Sequence, residues 1–283
     1  MKKLQLLLSG AALCLTFGIS AQIKAPQPSP SATIEQTVGL TSVEVEYSRP
    51  GMKGRKIFGD LEQYGKMWRT GANASTKITV SDDVKIGGKD VPAGKYALYT
   101  IPGETEWTIV LHKNLEHWGV GGYDEAEDLC RFTVKPTKLK DAVETFTIDF
   151  SNFTTSTAWI NLSWENTKVS FEIVTPADEM VEKQIKEQLV DGPAAGTYYA
   201  AARHYLDKNE NLDQALTYIN KAVEKRPEAF WYIHVQAKIL AAKGMKKEAI
   251  AAATKSMELA KANEGGDFGY VKNNEALIAK LKK

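Results

Sequence analysis

The sequence predicts a β-rich domain followed by a helical tail, because the hydrophobic period changes once along the chain. From Ile34 to about Val174, apolar residues recur at every second position, as in strands that bury one face. After Thr175 they recur every three or four residues, the spacing of amphipathic helices. We therefore expect a multidomain α and β protein, with an antiparallel β-sandwich or barrel first and an α-helical region second.

The first part of the chain contains about nine or ten alternating runs, each a predicted strand. Trp107–Leu111 and Phe146–Phe150 are two clear examples. A run ending at Trp164 and another beginning at Val169 are separated by Glu165-Asn166, which predicts a short hairpin between two strands. Most strands are expected to be half-buried, with one face in a common core.

The helical part begins at Thr175, whose hydroxyl is placed to cap a helix that starts with Pro176. Further along, the Ala-rich patterns at Ala215 and Ala249 lie 34 residues apart, the unit length of a tetratricopeptide repeat. Asn211 is expected to cap the second helix of the first unit. Such repeats stack into a concave surface, so the tail predicts contact with a partner protein or with the β domain.

The N-terminus has the layout of a secretory signal peptide. Lys2 and Lys3 form a basic start, an apolar stretch follows, and small residues precede a cleavage point near Ala21. Cys14 raises the alternative of a lipoprotein, but Leu13 disfavours a lipidation signal. We expect a periplasmic or secreted protein divided into residues 1–21 (signal peptide), 22–175 (β domain) and 176–283 (two repeats plus capping helices).

The composition excludes several classes of protein. The chain has 36 Lys and Arg against 35 Asp and Glu, so no electrostatic footprint for nucleic acid is present. After the N-terminal stretch no apolar run is long enough to span a membrane. Removal of the signal peptide leaves Cys130 as the single cysteine, and an internal disulfide is then impossible.

A long polar, glycine-rich loop between Tyr47 and Asn73 is the best candidate for a binding site, because ordered loops of this length lean toward function. Its planar arginine guanidinium groups, its aromatic rings and its side-chain amides suit a small anionic or sugar ligand. The opposing interpretation is that these groups satisfy the loop's own carbonyls and carboxylates. The candidate ligand-binding residues are Arg49, Lys53, Arg55, Trp68, Arg69, Asn73 and His112.

Several segments of this region resemble the DUF2911 family, a bacterial domain of unknown function common in Bacteroidetes. They are YSRP-x-x-KGR-x-IFG, WRTGAN, AGKYALYTIP and WTIVLHK, and the likeness extends to Trp118-Gly119, Tyr123-Asp124 and Asp128-x-x-Arg131. The resemblance covers roughly the first two-thirds of the mature chain. It implies no known activity.

The usual catalytic motifs are absent, among them G-x-S-x-G, H-E-x-x-H, C-x-x-C and the P-loop. His112 and His117 are five residues apart, a spacing that puts two imidazoles on one metal only with help from the tertiary structure. His112 lies opposite the core face of its strand, and is expected at the surface or in a cleft. We therefore predict no metal site and no cofactor.

Three functions remain open from the sequence. The first is an exported, non-enzymatic module in which the β domain carries a recognition loop and the repeats bind a protein. The second is a periplasmic hydrolase-like enzyme that uses Arg49, Arg69, Asn73 and His112. The third is carbohydrate binding through the aromatic side chains of the sandwich.

Overall fold

The computed structural model describes residues 25–189 and 192–283, so the predicted signal peptide lies outside the described part. The described residues form ten strands in the first part of the chain. The strands are β1 (Ser31–Val38), β2 (Thr41–Ser48), β3 (Thr76–Val80), β4 (Val84–Ile86), β5 (Lys89–Val91), β6 (Gly94–Ile101), β7 (Trp107–His112), β8 (Asp128–Val134), β9 (Thr137–Ser151) and β10 (Thr157–Val174).

These strands form two antiparallel sheets. The larger sheet has six strands in the order β1-β2-β3-β6-β7-β8, and the smaller has four in the order β5-β4-β10-β9. Apolar side chains from both sheets meet in one buried core; Val45, Ile109, Ile148 and Ile160 are completely excluded from solvent. The arrangement is an open sandwich and not a closed barrel, which confirms the predicted fold class and decides between its two forms.

The predicted hairpin at Glu165-Asn166 is present within β10. The Ser170 hydroxyl donates to Asn161 Oδ1 at 2.7 Å, and the Thr175 N–H donates to the Ser156 carbonyl at 2.8 Å, so residues on the two sides of Glu165-Asn166 lie next to each other. Glu165 adopts a φ of 53°, as hairpin turns require. The 18-residue run β10 is therefore two antiparallel arms, of which residues 159–168 pair with β9 and residues 173–174 with β4.

The long loop between β2 and β3 has no helix and is held by its aromatic residues. Phe58 and Trp68 are buried between the sheets, where they contact Trp107 of β7 and Trp164 of β10. Trp68 stacks on Trp164 with centroids 5.8 Å apart, and Phe146 lies 5.1 Å from Trp68 at a steep angle. Aromatic pairs at these separations are favourable beyond the area that they bury, so the cluster anchors an irregular segment.

The outer face of the larger sheet carries a second, smaller apolar cluster. Its buried members are Ala97, Tyr99 and Val110, and Leu115 and Tyr123 pack against them. Leu115 and Tyr123 belong to the loop between β7 and β8. That loop consequently folds back over the sheet and shields side chains that would otherwise face water.

Six helices follow the sandwich among the described residues: α1 (Ala177–Gln188), α2 (Ala195–Lys208), α3 (Leu212–Lys225), α4 (Phe230–Ala242), α5 (Lys246–Ala262) and α6 (Tyr270–Leu281). Consecutive helices from α2 to α6 pack on one another, and Ala215 and Ala249 are both completely buried. None of the described helices is long and apolar enough to cross a membrane. The strand-to-helix change at Thr175 is as predicted; the tetratricopeptide assignment stays a prediction.

One predicted helix cap is wrong, and the other is right in position only. Pro176, and not Thr175, occupies the N-cap position of α1, and the Thr175 hydroxyl donates to the Ser156 carbonyl at 2.9 Å. Asn211 is the N-cap residue of α3, as predicted, but it has a φ of 46° and its side chain makes no capping hydrogen bond among the described residues.

The full burial of Ala249 generates a prediction about helix packing. Replacing Ala249 with Leu should overpack the α4–α5 contact and cost about 1–3 kcal/mol of unfolding free energy. Ala251→Leu is the matched control, because Ala251 is exposed on the same helix. Urea denaturation of both variants measures the difference, and equal midpoints would contradict the tight contact.

Glu62 generates a prediction about pH. This loop residue is partly buried, and burial raises its carboxyl pKa to about 7 against the opposing effect of Arg69 and Arg55. The folded state therefore binds the proton more tightly than the unfolded state, and stability falls as the pH rises from about 4.5 toward 7. Since the group is partly solvated, the loss should be on the order of 1 kcal/mol.

The comparison that isolates this effect is between the wild type and Glu62→Gln. The stability of the wild type relative to the variant should decline between about pH 5 and about pH 8, as measured by urea denaturation at each pH. A difference between the two proteins that stays constant over this range would show that Glu62 titrates normally.

Candidate metal centre

His112 lies at the end of β7 on the outer face of the larger sheet. Its neighbour across β6 is Ala97, a small residue, and its partner on β8 is Asp128. Leu111 pairs with Cys130 and His112 pairs with Asp128, so Leu129 has no pairing partner on β7. This bulge brings a carboxylate beside the imidazole, a typical way in which bulges redirect a side chain near a site.

A hydrogen bond to Asp128 fixes the orientation of His112. The His112 Nδ1 atom lies 2.9 Å from Asp128 Oδ1, and the imidazole is completely buried. An ionised carboxylate can only accept, so Nδ1 carries the proton and Nε2 keeps a free lone pair. Carboxylate–histidine pairs of this kind are the usual support of metal-binding histidines.

Asp128 is in turn held by two residues. The Tyr123 hydroxyl donates to its carboxylate at 2.7 Å, and Arg131 pairs with the same group. Burial, followed by the hydrogen bond to Asp128, raises the pKa of Tyr123 to about 12, so the phenol remains a donor at neutral pH. The network keeps the carboxylate of Asp128 directed at His112.

Two further side chains converge on the free face of His112. Glu127 Oε2 lies 3.5 Å from His112 Nε2 and 3.9 Å from His117 Nε2. One ligand atom from each of the three residues lies within 4.8 Å of the others. Both Nε2 atoms are shielded from solvent and have no hydrogen-bond partner among the described residues, whereas the Glu127 side chain is 44% exposed.

The loop between β7 and β8 positions these groups. A short 3₁₀ turn at Glu125–Glu127 is capped by Asp124, and the Glu127 carbonyl accepts from the Lys113 N–H at 3.0 Å. Gly122 has a φ of 80°, and a Cβ there would lie 3.2 Å from the His117 ring. Glycine is thus favoured both by the backbone and by the contact with the imidazole.

The spacing of the three ligand atoms suits a small divalent cation. Tetrahedral zinc with bonds of about 2.0–2.1 Å separates neighbouring ligand atoms by about 3.3 Å. The observed 3.5 and 3.9 Å, both to Glu127 Oε2, are slightly wider, and all three ligand atoms lie within 4.8 Å of one another. An inward movement of the side chains, the two imidazoles included, would complete the geometry. Two imidazoles and one carboxylate are a donor set that zinc sites use when a fourth position stays open to water.

Candidate ligands therefore exist where sequence spacing indicated no metal site. His117 is a near neighbour of His112 in the sequence, but Glu127 and Asp128 belong to an acidic run with Asp124 and Glu125, in which no ligand spacing is recognisable. Their convergence depends on the bulge at Leu129 and on the fold of the loop, which leave no spacing motif. The one available signal was the family-like pattern at Tyr123-Asp124 and Asp128-x-x-Arg131.

The cationic residues of the long loop mostly contact the protein itself. Arg49 donates to the Phe146 carbonyl at 3.2 Å and to Thr147 at 2.8 Å. Arg55 donates to the carbonyls of residues 51 and 52. Lys53 has an exposed side chain, and its backbone N–H donates to Glu144 at 2.9 Å. These contacts agree with the loop-structuring interpretation.

Trp68, Arg69 and Asn73 lie close together but have internal partners as well. The buried Trp68 donates from Nε1 to the Gly71 carbonyl at 3.0 Å. Arg69 donates to the Asn73 carbonyl at 3.0 Å, and Asn73 has a φ of 61°. The Arg69 guanidinium also adjoins Gly119 in the loop that carries His117. No described contact joins these three residues or Arg49 to His112.

Comparison with known proteins agrees with the family-like motifs. A family model described as "Protein of unknown function (DUF2911)" matches residues 29–173. None of the curated proteins matches the chain. One similar solved structure is the solution structure of protein BPP2914 from Bordetella parapertussis, with 18% identity over 37% of this chain and 86% of that chain and a TM-score of 0.31. The chain belongs to the DUF2911 family, whose function is unknown.

Proposed function

We propose that this protein is an exported, non-enzymatic module whose β domain binds one divalent transition-metal ion. The ligands are His112, His117 and Glu127, and the helical tail supplies a surface for a partner protein. The observation that carries the proposal is a pair of shielded Nε2 atoms that have no hydrogen bonds among the described residues and face one carboxylate oxygen. That oxygen, Glu127 Oε2, also accepts from Asn114 at 3.1 Å.

A metal explains this arrangement better than an ion pair does. A buried polar atom without a partner costs about 1–3 kcal/mol, so two adjacent cases call for a shared compensating partner. Protonated imidazoles would satisfy themselves by donating to Glu127, but the distances of 3.5 and 3.9 Å exceed those of ordinary hydrogen bonds. A cation between the three atoms satisfies all of them at once.

The donor set favours zinc or a similar transition metal over calcium and magnesium. Imidazole nitrogen suits zinc, copper, iron and nickel, whereas calcium and magnesium prefer oxygen ligands. Zinc is the reference ion because it accepts this mixed set in a four-coordinate geometry. The acidic side chains of the surrounding loop, among them Asp124 and Glu125, would attract any cation toward the site.

A metal-dependent hydrolase is the second candidate, supported by one observation. Three protein ligands leave a fourth position, and the half-exposed Glu127 gives water access to that side of the site. A metal-bound water there would be acidified and nucleophilic. We favour the binding role because the catalytic arrangement proposed from the sequence, with Arg49, Arg69 and Asn73 around His112, has no described contact with the imidazole.

The central prediction concerns zinc affinity. The mature chain, without an affinity tag, should bind one zinc ion per chain in isothermal titration calorimetry. Glu127→Gln and His117→Ala should weaken binding by more than about 100-fold, and Asp128→Asn by about 10–100-fold, because it supports a ligand. Melting curves of the metal-free variants verify that each is folded.

Glu116→Gln is the matched control for the Glu127 variant, since Glu116 is an exposed acid of the same loop. Its affinity for zinc should equal that of the wild type. Zinc should also raise the melting temperature of the wild type, because a free zinc concentration 100 times Kd stabilises the folded state by about 2.7 kcal/mol. Zinc binding that survives the removal of Glu127 and His117 would refute the site.

Export is a separate prediction with its own measurement. We expect removal of residues 1–21, because the N-terminus has basic, apolar and small-residue segments in the order of a signal peptide. Intact-mass spectrometry of protein from the extracytoplasmic fraction should show a chain that begins at Gln22. Recovery of chains that retain Met1 would contradict export, and a lipid on Cys14 would indicate a membrane-anchored lipoprotein.

A further inference from the structure

A second concave site lies beside Trp107, the first residue of β7, whereas His112 is the last residue of that strand. The cavity measures about 410 Å³ and lies where the long loop, the β6–β7 turn, the β8–β9 turn and the hairpin turn of β10 meet. Tyr64 forms one wall. Pockets of this size are typical of small-molecule sites.

The Tyr64 ring is held in place and remains accessible. It packs on Gly59, whose φ is 84° and at which a Cβ would lie 2.7 Å from the ring. The glycine therefore lets the ring lie directly against the backbone. Tyr64 is nevertheless 40% exposed, so part of this rigid aromatic surface faces the cavity and solvent.

Charged groups of both signs surround this ring. Glu104 and Glu165 supply carboxylates, and Lys56 and Lys138 supply ammonium groups. Within the described residues, none of these four side chains forms an ion pair. Burial, followed by the charges of Glu104 and Glu165, raises the pKa of the Tyr64 hydroxyl.

Glu165 reaches the cavity from the hairpin turn of β10. It is a non-glycine residue with a φ of 53°, a conformation that such turns require. Its two carboxylate oxygens accept from the N–H groups of Ile57 and Phe58 at 3.3 and 3.4 Å, near the upper limit for hydrogen bonds. Lone pairs are consequently left for a further donor.

We infer that this cavity binds a saccharide. The apolar C–H face of a sugar ring packs on Tyr64, while its hydroxyls donate to Glu104 and Glu165 and accept from Lys56 and Lys138. A sugar hydroxyl both donates and accepts, so adjacent hydroxyls match a lining that contains groups of each kind. The partly exposed aromatic wall favours a ring with an apolar face over a small zwitterion, which would use the charges alone. The inference is independent of the metal centre.

The test uses zinc-free and zinc-loaded mature protein with defined probes. These are glucose, galactose, N-acetylglucosamine, cellotetraose and chitotetraose, with glycylglycine as the zwitterionic probe. Saturation-transfer NMR at millimolar sugar detects weak binding, and calorimetry gives the affinity. We expect at least one saccharide to bind in both metal states, with its ring C–H protons closest to the protein.

Variants then place the binding in the cavity. Tyr64→Ala should weaken the saccharide at least tenfold, and Glu104→Gln should weaken it less. Glu104 is chosen over Glu165 because Glu165 also holds backbone N–H groups. Phe153→Ala is the matched control, since Phe153 is 50% exposed elsewhere on the sandwich.

Three results would overturn the inference. They are the absence of binding by every saccharide in the panel, saccharide binding that Tyr64→Ala leaves unchanged, and binding of glycylglycine in place of the sugars. None of these results bears on zinc affinity, so the two proposals fail separately.

Discussion

The burial of Phe58 and Trp68 between the two sheets is the contact on which the rest of the β domain depends. Both side chains come from a loop without regular structure, and they complete an aromatic cluster with Trp107 and Trp164. The large area buried by these rings offsets the entropy lost when such a loop becomes ordered. Because the rings are fixed, the polar groups beside them are fixed as well. The guanidinium of Arg69, the residue after Trp68, lies beside Gly119 of the β7–β8 loop. The N–H groups of residues 57 and 58 donate to the Glu165 carboxylate.

The two faces of the larger sheet have different roles. Its inner face packs against the smaller sheet in a conventional apolar core. On its outer face one residue from each of five neighbouring strands forms a row that is polar except for Ala97; the successive partners are Glu46, Lys77, Ala97, His112 and Asp128. Ala97 leaves room beside His112, and the loop that carries Leu115 covers both. A histidine on the nominally exposed face of a strand is thus completely buried without entering the main core.

The sequence was sufficient for the fold class because apolar residues recur at different periods in strands and in helices, and each run is long enough for its period to be recognised. It was also sufficient to place His112 off the core face, since alternation along β7 is regular as far as Leu111. It was insufficient for the site, because Glu127 and Asp128 reach His112 only through the extra residue Leu129. A one-residue bulge leaves the composition and the period almost unchanged. The hairpin at Glu165-Asn166 was predictable, by contrast, because two turn-forming residues separate two regular alternating runs.

The reversal of the chain within β10 has a mechanical consequence. It brings together Ser156 and Thr175, the residues on either side of β10, and only Thr175 and Pro176 separate the last residue of β10 from α1. Thr175 is tied to the Ser156 carbonyl through both its N–H and its hydroxyl. A force on the first helix would therefore meet these two hydrogen bonds, at the open end of the hairpin, before it reached the contacts between the two arms.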